Sequence, residues 1–241
     1  MKDQEMYRNL AKYYDKIYHD KDYKKEVDDI KKIVSKYKKS KGNKLLDIGC
    51  GTGGHLQHLV KDFKCTGLDL NKDILKIALE KVPQISTVQS DMSDMELGEK
   101  FDVITCLFSS IGYILTKDKL KKTINNFSNH LQPGGIVIIE PWLTPDIYRA
   151  GSPHMTVYDG EDMKIARVNI SDIKDENISY FEMHFLIAEP NKPVLHLIDK
   201  HELALFPHEL LMDYMKESGL ITEKLTVEFY ADRGLLIGVK K

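Results

Sequence analysis

The sequence predicts an α/β fold: a Rossmann-like parallel sheet flanked by helices, with an antiparallel β meander inserted after the fifth strand. Three observations predict it. Short apolar runs alternate with helical stretches between Lys44 and Glu140. A glycine turn, DIGCGTGG (47–54), joins the first run to the first of those helices. From about Thr156 to Phe206 the apolar residues alternate singly with polar ones, the period of a strand with one face covered.

The elements follow in chain order. Lysines crowd the segment from Lys2 to Lys44, with Asp, Glu and Tyr among them. Val27, Ile30, Val34 and Tyr37 recur at helical spacing, which predicts an amphipathic helix with a solvated charged face. Residues 1–43 are read as a helical cap. The runs KLLDI (44–48), CTGLDL (65–70), ISTVQ (85–89), FDVITCLF (101–108) and GIVIIE (135–140) are read as strands. They are apolar throughout, as strands buried on both faces require. HLQHLVKDF, NKDILKIALEKV and KDKLKKTINNFSNHL are the helices between them. Asn71 and Thr116 stand where they can cap the second and third, and Pro133-Gly134-Gly135 is expected to stop the third. In the meander, Asp159-Gly160 fits a hairpin turn, and MKIARVNIS, SYFEMHFLI and VLHLIDKHELALF alternate. Residues 150–206 are read as a lobe on the substrate side. FPHELLMDYMKESG is a helix with Pro207 near its start and Gly219 past its end, and LTVEFY and RGLLIGVKK are two closing strands. The whole chain, 1–241, is read as one domain.

Composition narrows the function. Lys+Arg is 35 against 37 Asp+Glu, a net charge of −2, which excludes a broadly basic nucleic-acid-binding surface. At 42% hydrophobic the chain is too apolar for disorder, yet no run approaches the roughly 20 residues of a membrane helix. The N-terminus MKDQEMYRNL has no apolar core of a secretory signal. Cys50, Cys65 and Cys106 are scattered without a CxxC pair, which points to a reducing cytoplasm and away from disulfides or zinc. No HxH or HExxH occurs in the meander, so no metal is expected.

The glycine turn carries the chemistry. Gly49, Gly51 and Gly54 satisfy the dinucleotide pattern GxGxxG. Asp47, Gly49, Gly51 and Gly53 equally satisfy the DxGxGxG of methyltransferases that use S-adenosylmethionine (SAM). The flanking acids decide between them. Asp47 can hold the turn and the cationic amino-acid end of SAM, whereas it would repel a pyrophosphate. Asp69 ends the second strand and can accept both ribose hydroxyls, a feature that dinucleotide enzymes share. Asp91 follows the third and can accept the adenine amino group, with Met92 covering the ring. Three acids at successive strand ends beside one glycine loop favour SAM, with S-adenosylhomocysteine as product. Beyond the fourth strand, Leu107 and Ser109-Ser110 stand where methyl donor and acceptor meet in such folds. Tyr113 follows Gly112 there, and Tyr113 and His184 are the candidates to orient or deprotonate an attacking amine. A tyrosine is a poor base near neutrality, so Tyr113 is given chiefly an orienting hydrogen bond. Trp142 can stack on a base or sugar ring. Arg167 and Arg233 offer planar forks for a pyrophosphate, and His201 is a further substrate contact.

These residues lie in longer stretches that resemble the TDP-amino-sugar N,N-dimethyltransferases of the desosamine and mycaminose pathways. The stretches are KDY (21–23), DIGCGTGGHLQHL (47–59), VITCLFSSIGY (103–113), PGGIVIIEPW (133–142), ARV (166–168), EMHF (182–185) and RGLLIGV (233–239). The resemblance implies a Rossmann-like class I methyltransferase sheet with an antiparallel lid, and methyl transfer from SAM to the amine of a nucleotide-linked sugar; with the charge and hydropathy above, the expected partner is that small molecule, without nucleic acid or membrane, and a homodimer is compatible. It also implies that Tyr14 and Tyr23 cap the SAM pocket and that Arg233 meets a phosphate. The chain departs from the family in three places. Tyr113 replaces a histidine, Trp142-Leu143 a Trp-Trp pair, and Ala231-Asp232 a Ser-Gly. Two other readings remain at this stage: methylation of another small acceptor, and an NAD-dependent oxidoreductase or nucleotide-binding module.

Overall fold

The computed structural model describes residues 13–175, 177–227 and 233–241. The N-terminal cap contains α1 (Tyr14–Ile17) and α2 (Tyr23–Tyr37), and Asp22 caps α2 by accepting from Lys25 N at 2.9 Å. Strands and helices then alternate: β1 (Lys44–Ile48), α3 (Leu56–Leu59), β2 (Lys64–Asp69), α4 (Lys72–Lys81), β3 (Ser86–Gln89), β4 (Phe101–Cys106), α5 (Lys117–Asn129) and β5 (Leu131–Ile139). The meander is β6 (Pro153–Asp159), β7 (Lys164–Lys174), β8 (Ile178–Ala188) and β9 (Leu195–Ala204). α6 (His208–Glu217), β10 (Leu220–Leu225) and β11 (Leu235–Lys240) close the chain.

Among the described residues seven strands form one sheet in the order β10-β11-β5-β4-β1-β2-β3. β1 to β5 pair in parallel, and β11 runs antiparallel to β5 and β10. Successive side chains on a strand point to opposite faces, and here both faces are covered. Leu45, Val103, Ile136 and Ile138 pack with Val27, Ile30 and Val34 of α2. Leu46, Ile104, Val137 and Ile139 pack with Leu120, Ile124 and Phe127 of α5 and with Leu211 and Met215 of α6. The meander forms a second, antiparallel sheet, and Tyr13 and Ile17 pack against its Ile165, Phe185 and Ile187.

The caps read from sequence are present. Asn71 Oδ1 accepts from Asp73 N and Ile74 N at 2.8 and 3.2 Å, and Thr116 Oγ1 accepts from Lys119 N at 3.3 Å. Three expectations need correction. HLQHLVKDF is helical only over Leu56–Leu59, because Asp62 N and Phe63 N both bond back to Leu59 O and turn the chain into β2. The proline-glycine run does not stop α5. His130 does so, accepting from Leu97 N and bonding Asn126 O, and Pro133-Gly134-Gly135 becomes an irregularity within β5. Gly134 adopts φ +75° there, its carbonyl accepting from Lys39 N and Ser40 N, and a Cβ on it would lie 2.8 Å from Ser40 N. The penultimate strand is LITEKL rather than LTVEFY, since Gly219 at φ +86° turns α6 directly into β10. Residues 228–230 of LTVEFY, and Ala231-Asp232, lie outside the described residues.

The cap is pinned by a buried carboxylate. Glu26 pairs with Lys21 and with His55 Nε2 at 2.7 Å, and all three side chains are largely buried. Burial alone would raise the Glu26 pKa, but His55 and Lys21 outweigh it and hold the carboxyl below its ordinary value of 4.5. A depressed folded pKa gives stability that is complete above the ordinary value and disappears as pH falls through the folded one. Glu26→Gln is therefore expected to cost about 3 kcal/mol near neutral pH, the scale for breaking a buried pair. Urea unfolding over a pH series checks it. The wild-type advantage should shrink on acidification, and an advantage undiminished at the most acidic pH that permits folding would rule the pair out as its source.

Candidate active site

A cavity of about 700 Å³ opens at the carboxyl ends of β1, β2 and β4 and beyond β3, where ligands bind in such sheets. Its floor is the glycine loop. Gly49 and Gly51 have φ of +69° and +53°, and a Cβ on Gly49 would lie 2.6 Å from Ser110 Oγ. Both glycines line the cavity. Gly53 does not. It sits at φ +79° beside α4, where a Cβ on it would lie 3.4 Å from Ala78 Cβ.

Asp47, Asp69 and Asp91 all line this cavity. Asp47 is buried, its Oδ1 accepts from Thr105 Oγ1 at 2.8 Å, and its Oδ2 has no hydrogen-bond partner among the described residues. Burial raises its pKa. An unpartnered buried carboxylate oxygen of this kind fits a ligand's ammonium and opposes a pyrophosphate. Asp69 accepts from Gly51 N at 3.1 Å and Asn71 N at 3.0 Å, and burial raises its pKa as well. Asp91 accepts from Ser93 N at 2.8 Å, with Met92 beside it on the wall. These donors and acceptors fit SAM: a cation site, a diol site and an adenine site in the order of the strands.

The cap closes one side. Tyr14, Tyr18 and Tyr23 line the cavity. Tyr23 stands edge-on to His55 at 4.9 Å, and its ring fills the space a Cβ on Gly54 would need. Asp15 joins the cap to the loop, accepting from Thr52 Oγ1 at 2.8 Å and pairing with Lys81 at 2.6 Å. Sequence reasoning missed Tyr18 and His55 on the cavity wall, and Glu26, which pairs with His55. His55 directly follows the glycine motif, and that adjacency was the available signal.

The far side is built after β4. Phe108 and Ser109 take left-handed φ of 51° and 59°, an uncommon conformation for residues with side chains. It is held by Glu140, which is buried at the end of β5 and accepts from Phe108 N at 2.6 Å. Burial raises the Glu140 pKa, and Arg233 opposes this from 3.1 Å. Arg233 also donates to Ser109 Oγ at 2.6 Å and lies 5.9 Å from the Trp142 ring centre. Leu107, Ser109, Ser110, Tyr113, Trp142, His201 and Arg233 all line the cavity. Tyr113 ends the 3₁₀ turn Ser110–Tyr113, and its hydroxyl is 2.8 Å from His201 Nδ1.

Two expected residues are elsewhere. On β8, Phe181 and Met183 face the cavity, so His184, one residue on, takes the opposite face. It is half-exposed there, stacked on His196 and 3.3 Å from Glu182, and does not line the cavity. Arg167 does not line the cavity either. It donates to Thr156 Oγ1 at 2.7 Å and to the Tyr18 hydroxyl at 3.4 Å, so it buttresses a wall residue. Among the described residues no group of three or more His, Cys, Asp or Glu side chains could hold a metal ion, and no helix is long and apolar enough to cross a membrane.

Comparison with known proteins decides between the families that the glycine loop allows. A methyltransferase-domain family profile matches residues 45–135. The dTDP-3-amino-3,4,6-trideoxy-alpha-D-glucopyranose N,N-dimethyltransferase of Streptomyces venezuelae is 37% identical over 236 residues, covering 95% of this chain and 97% of that protein. The chain belongs to the TDP-amino-sugar N,N-dimethyltransferase family. This SAM-dependent methyltransferase also superposes on the crystal structure of Streptomyces venezuelae DesVI with a TM-score of 0.90, at 36% identity over 96% of this chain and 98% of that one. SAM-bound CalS10, an amino pentose methyltransferase from Micromonospora echinaspora, superposes at 0.82 with 25% identity, covering 92% of each chain. The class I methyltransferase fold expected from the sequence is thus confirmed, and the dinucleotide alternative is set aside.

S-adenosylhomocysteine should bind this enzyme and NAD should not. Asp69→Ala should weaken S-adenosylhomocysteine by about 1–3 kcal/mol, the range for hydrogen bonds to a charged group. Titration calorimetry measures it, and undiminished affinity would remove the ribose role from Asp69.

Proposed function

We propose that this enzyme transfers methyl groups from SAM to the amino group of a TDP-linked amino sugar. The observation that carries the reading is the continuity of the cavity. One space runs from the three strand-end aspartates, past Leu107, to Tyr113, Trp142 and Arg233, so donor and acceptor sites adjoin. The substrate in the name of the Streptomyces venezuelae relative, a dTDP-linked 3-amino sugar, supports the same acceptor class.

On this reading Asp47 receives the amino end of the cofactor, Asp69 its ribose hydroxyls, and Asp91 with Met92 its adenine. Tyr14 and Tyr23 cover the site from the cap. SAM supplies a methyl group already activated on a sulfonium, so holding the amine in line is the main task left to the protein. Ser109, Ser110 and Tyr113 border the point of transfer. Trp142 and Arg233 face the nucleotide end, and the lobe 150–206 closes over the sugar through Phe181, Met183 and His201. Arg233 has one edge on Glu140 and Ser109, and a phosphate would meet the remainder of the fork. The three free cysteines are buried, which supports a reducing cytoplasm as the working compartment.

Mass spectrometry of TDP-3-amino and TDP-4-amino sugars incubated with enzyme and SAM tests the acceptor. One or two methyl increments on any of them support the reading, and none on the whole panel refutes it. Arg233→Lys keeps a cation beside Glu140 but loses the fork. It should raise KM for the nucleotide sugar about 10-fold, near the lower bound for a charge-assisted phosphate pair, and leave KM for SAM near wild type. Wild-type KM values for both substrates would withdraw the phosphate role.

A further inference from the structure

Thr105 of β4 and Asp47 of β1 are register partners on neighbouring parallel strands, so their side chains share one face of the sheet. Both are buried, at 0% and 2% exposure. The Thr105 hydroxyl lies 2.8 Å from Asp47 Oδ1 and 3.5 Å from Leu46 O. It has one hydrogen to give, and the carboxylate is both the nearer and the stronger acceptor. Asp47 lines the cavity and Thr105 does not. The hydroxyl thus takes the oxygen on the strand side. It leaves Oδ2, which has no hydrogen-bond partner among the described residues, to a ligand.

We propose that Thr105 is a positioning residue for the cofactor: its hydroxyl holds Asp47 as an anion and fixes which carboxylate oxygen meets the ammonium at the amino-acid end. This rests on the assignment of Asp47 to that ammonium made above. Thr105 touches neither cofactor nor acceptor and acts through Asp47. An ammonium only donates, so its partner must accept and should carry the opposite charge. A hydroxyl that donates to a carboxylate favours the charged form. With valine at position 105, Oδ1 would be buried without its donor, and such a group escapes the cost by taking up a proton. The neutral acid would then face a cation it no longer balances.

The surroundings leave this task to few groups. Burial raises the Asp47 pKa; the nearby His55 and the Thr105 hydrogen bond oppose the rise, and Asp69 adds to it. His55 is itself paired with Glu26. Burial holds the thiols of Cys50, Cys65 and Cys106 above their ordinary value of 9.0, so the cysteines near Asp47 stay neutral. Removing the hydroxyl lets the Asp47 pKa rise further. The loss of cofactor affinity is therefore largest in acid and closes as rising pH ionises the carboxylate.

Titration calorimetry with two ligands tests the proposal. S-adenosylhomocysteine carries the amino-acid end, and 5′-methylthioadenosine has the same adenosine without it. Thr105→Val should weaken S-adenosylhomocysteine about 10-fold in mildly acidic buffer, near the lower bound for a hydrogen bond to a charged group, and keep methylthioadenosine within about twofold. The deficit should close towards mildly alkaline pH. Thr105→Ser, which keeps the hydroxyl, should bind both ligands as the wild type does. In an Asp47→Asn background, Thr105→Val should add no further loss, which separates its effect from the titration of His55. Equal weakening of both ligands, a loss of the same size at every pH, or failure of serine to restore binding overturns the role of Thr105. If Asp47→Asn leaves the preference for S-adenosylhomocysteine over methylthioadenosine intact, the assignment of Asp47 falls. If Asp47→Asn abolishes that preference and Thr105→Val leaves it intact, the role of Thr105 alone falls.

Discussion

The constraint on which the site depends is the cost of burying carboxylates at the carboxyl edge of a parallel sheet. Asp47, Asp69 and Glu140 all sit there, and burial raises the pKa of each. Each must find donors, and the donors it finds shape the surrounding chain. Asp69 takes the N–H groups of Gly51 and Asn71 and so fixes the glycine loop against the start of α4. Glu140 takes the N–H of Phe108 and the guanidinium of Arg233, and so holds the left-handed pair that opens the acceptor side. Among the described residues Asp47 is satisfied on one oxygen only, by Thr105. The fold tolerates that deficit where a cationic ligand would remove it.

The same logic explains the cap. A short helix and an amphipathic one would not by themselves settle over a glycine loop. Glu26, Lys21 and His55 form a buried ionic contact below the loop, and Asp15, Thr52 and Lys81 form a more exposed one beside it. Tyr23 lies between them, with its ring in the space left by the absent side chain of Gly54. Releasing the cap would strand a carboxylate and an imidazole in a buried site, so the cavity is closed by ion pairing as much as by apolar packing.

The meander supplies the opposite wall through the parity of its strands. Phe181 and Met183 on β8, and His201 and Leu203 on β9, share the inner face, and the register Phe181↔His201 sets them side by side. His184 and His196 pair on the outer face by the same rule. A one-residue slip would exchange these two sets, so the antiparallel pairing selects which histidine meets Tyr113.

The sequence by itself determined the strand order of β1 to β5 along the chain, the helix caps at Asn71 and Thr116, and the glycine loop with its three aspartates. These are local: a strand end, a turn and a cap are set by neighbouring residues and by periodicities of two and 3.6. It also carried the motif stretches that revealed the family. It did not determine which histidine would face the cavity, that His130 rather than Pro133 ends α5, or that β10 begins immediately after Gly219. Nor did it show that Glu26 would reach His55 or that Glu140 would reach Arg233. Those outcomes are decided by contacts between elements distant in the chain. Side-chain parity becomes a direction only after a sheet is placed, and a buried charge selects its partner only after the elements around it have excluded water.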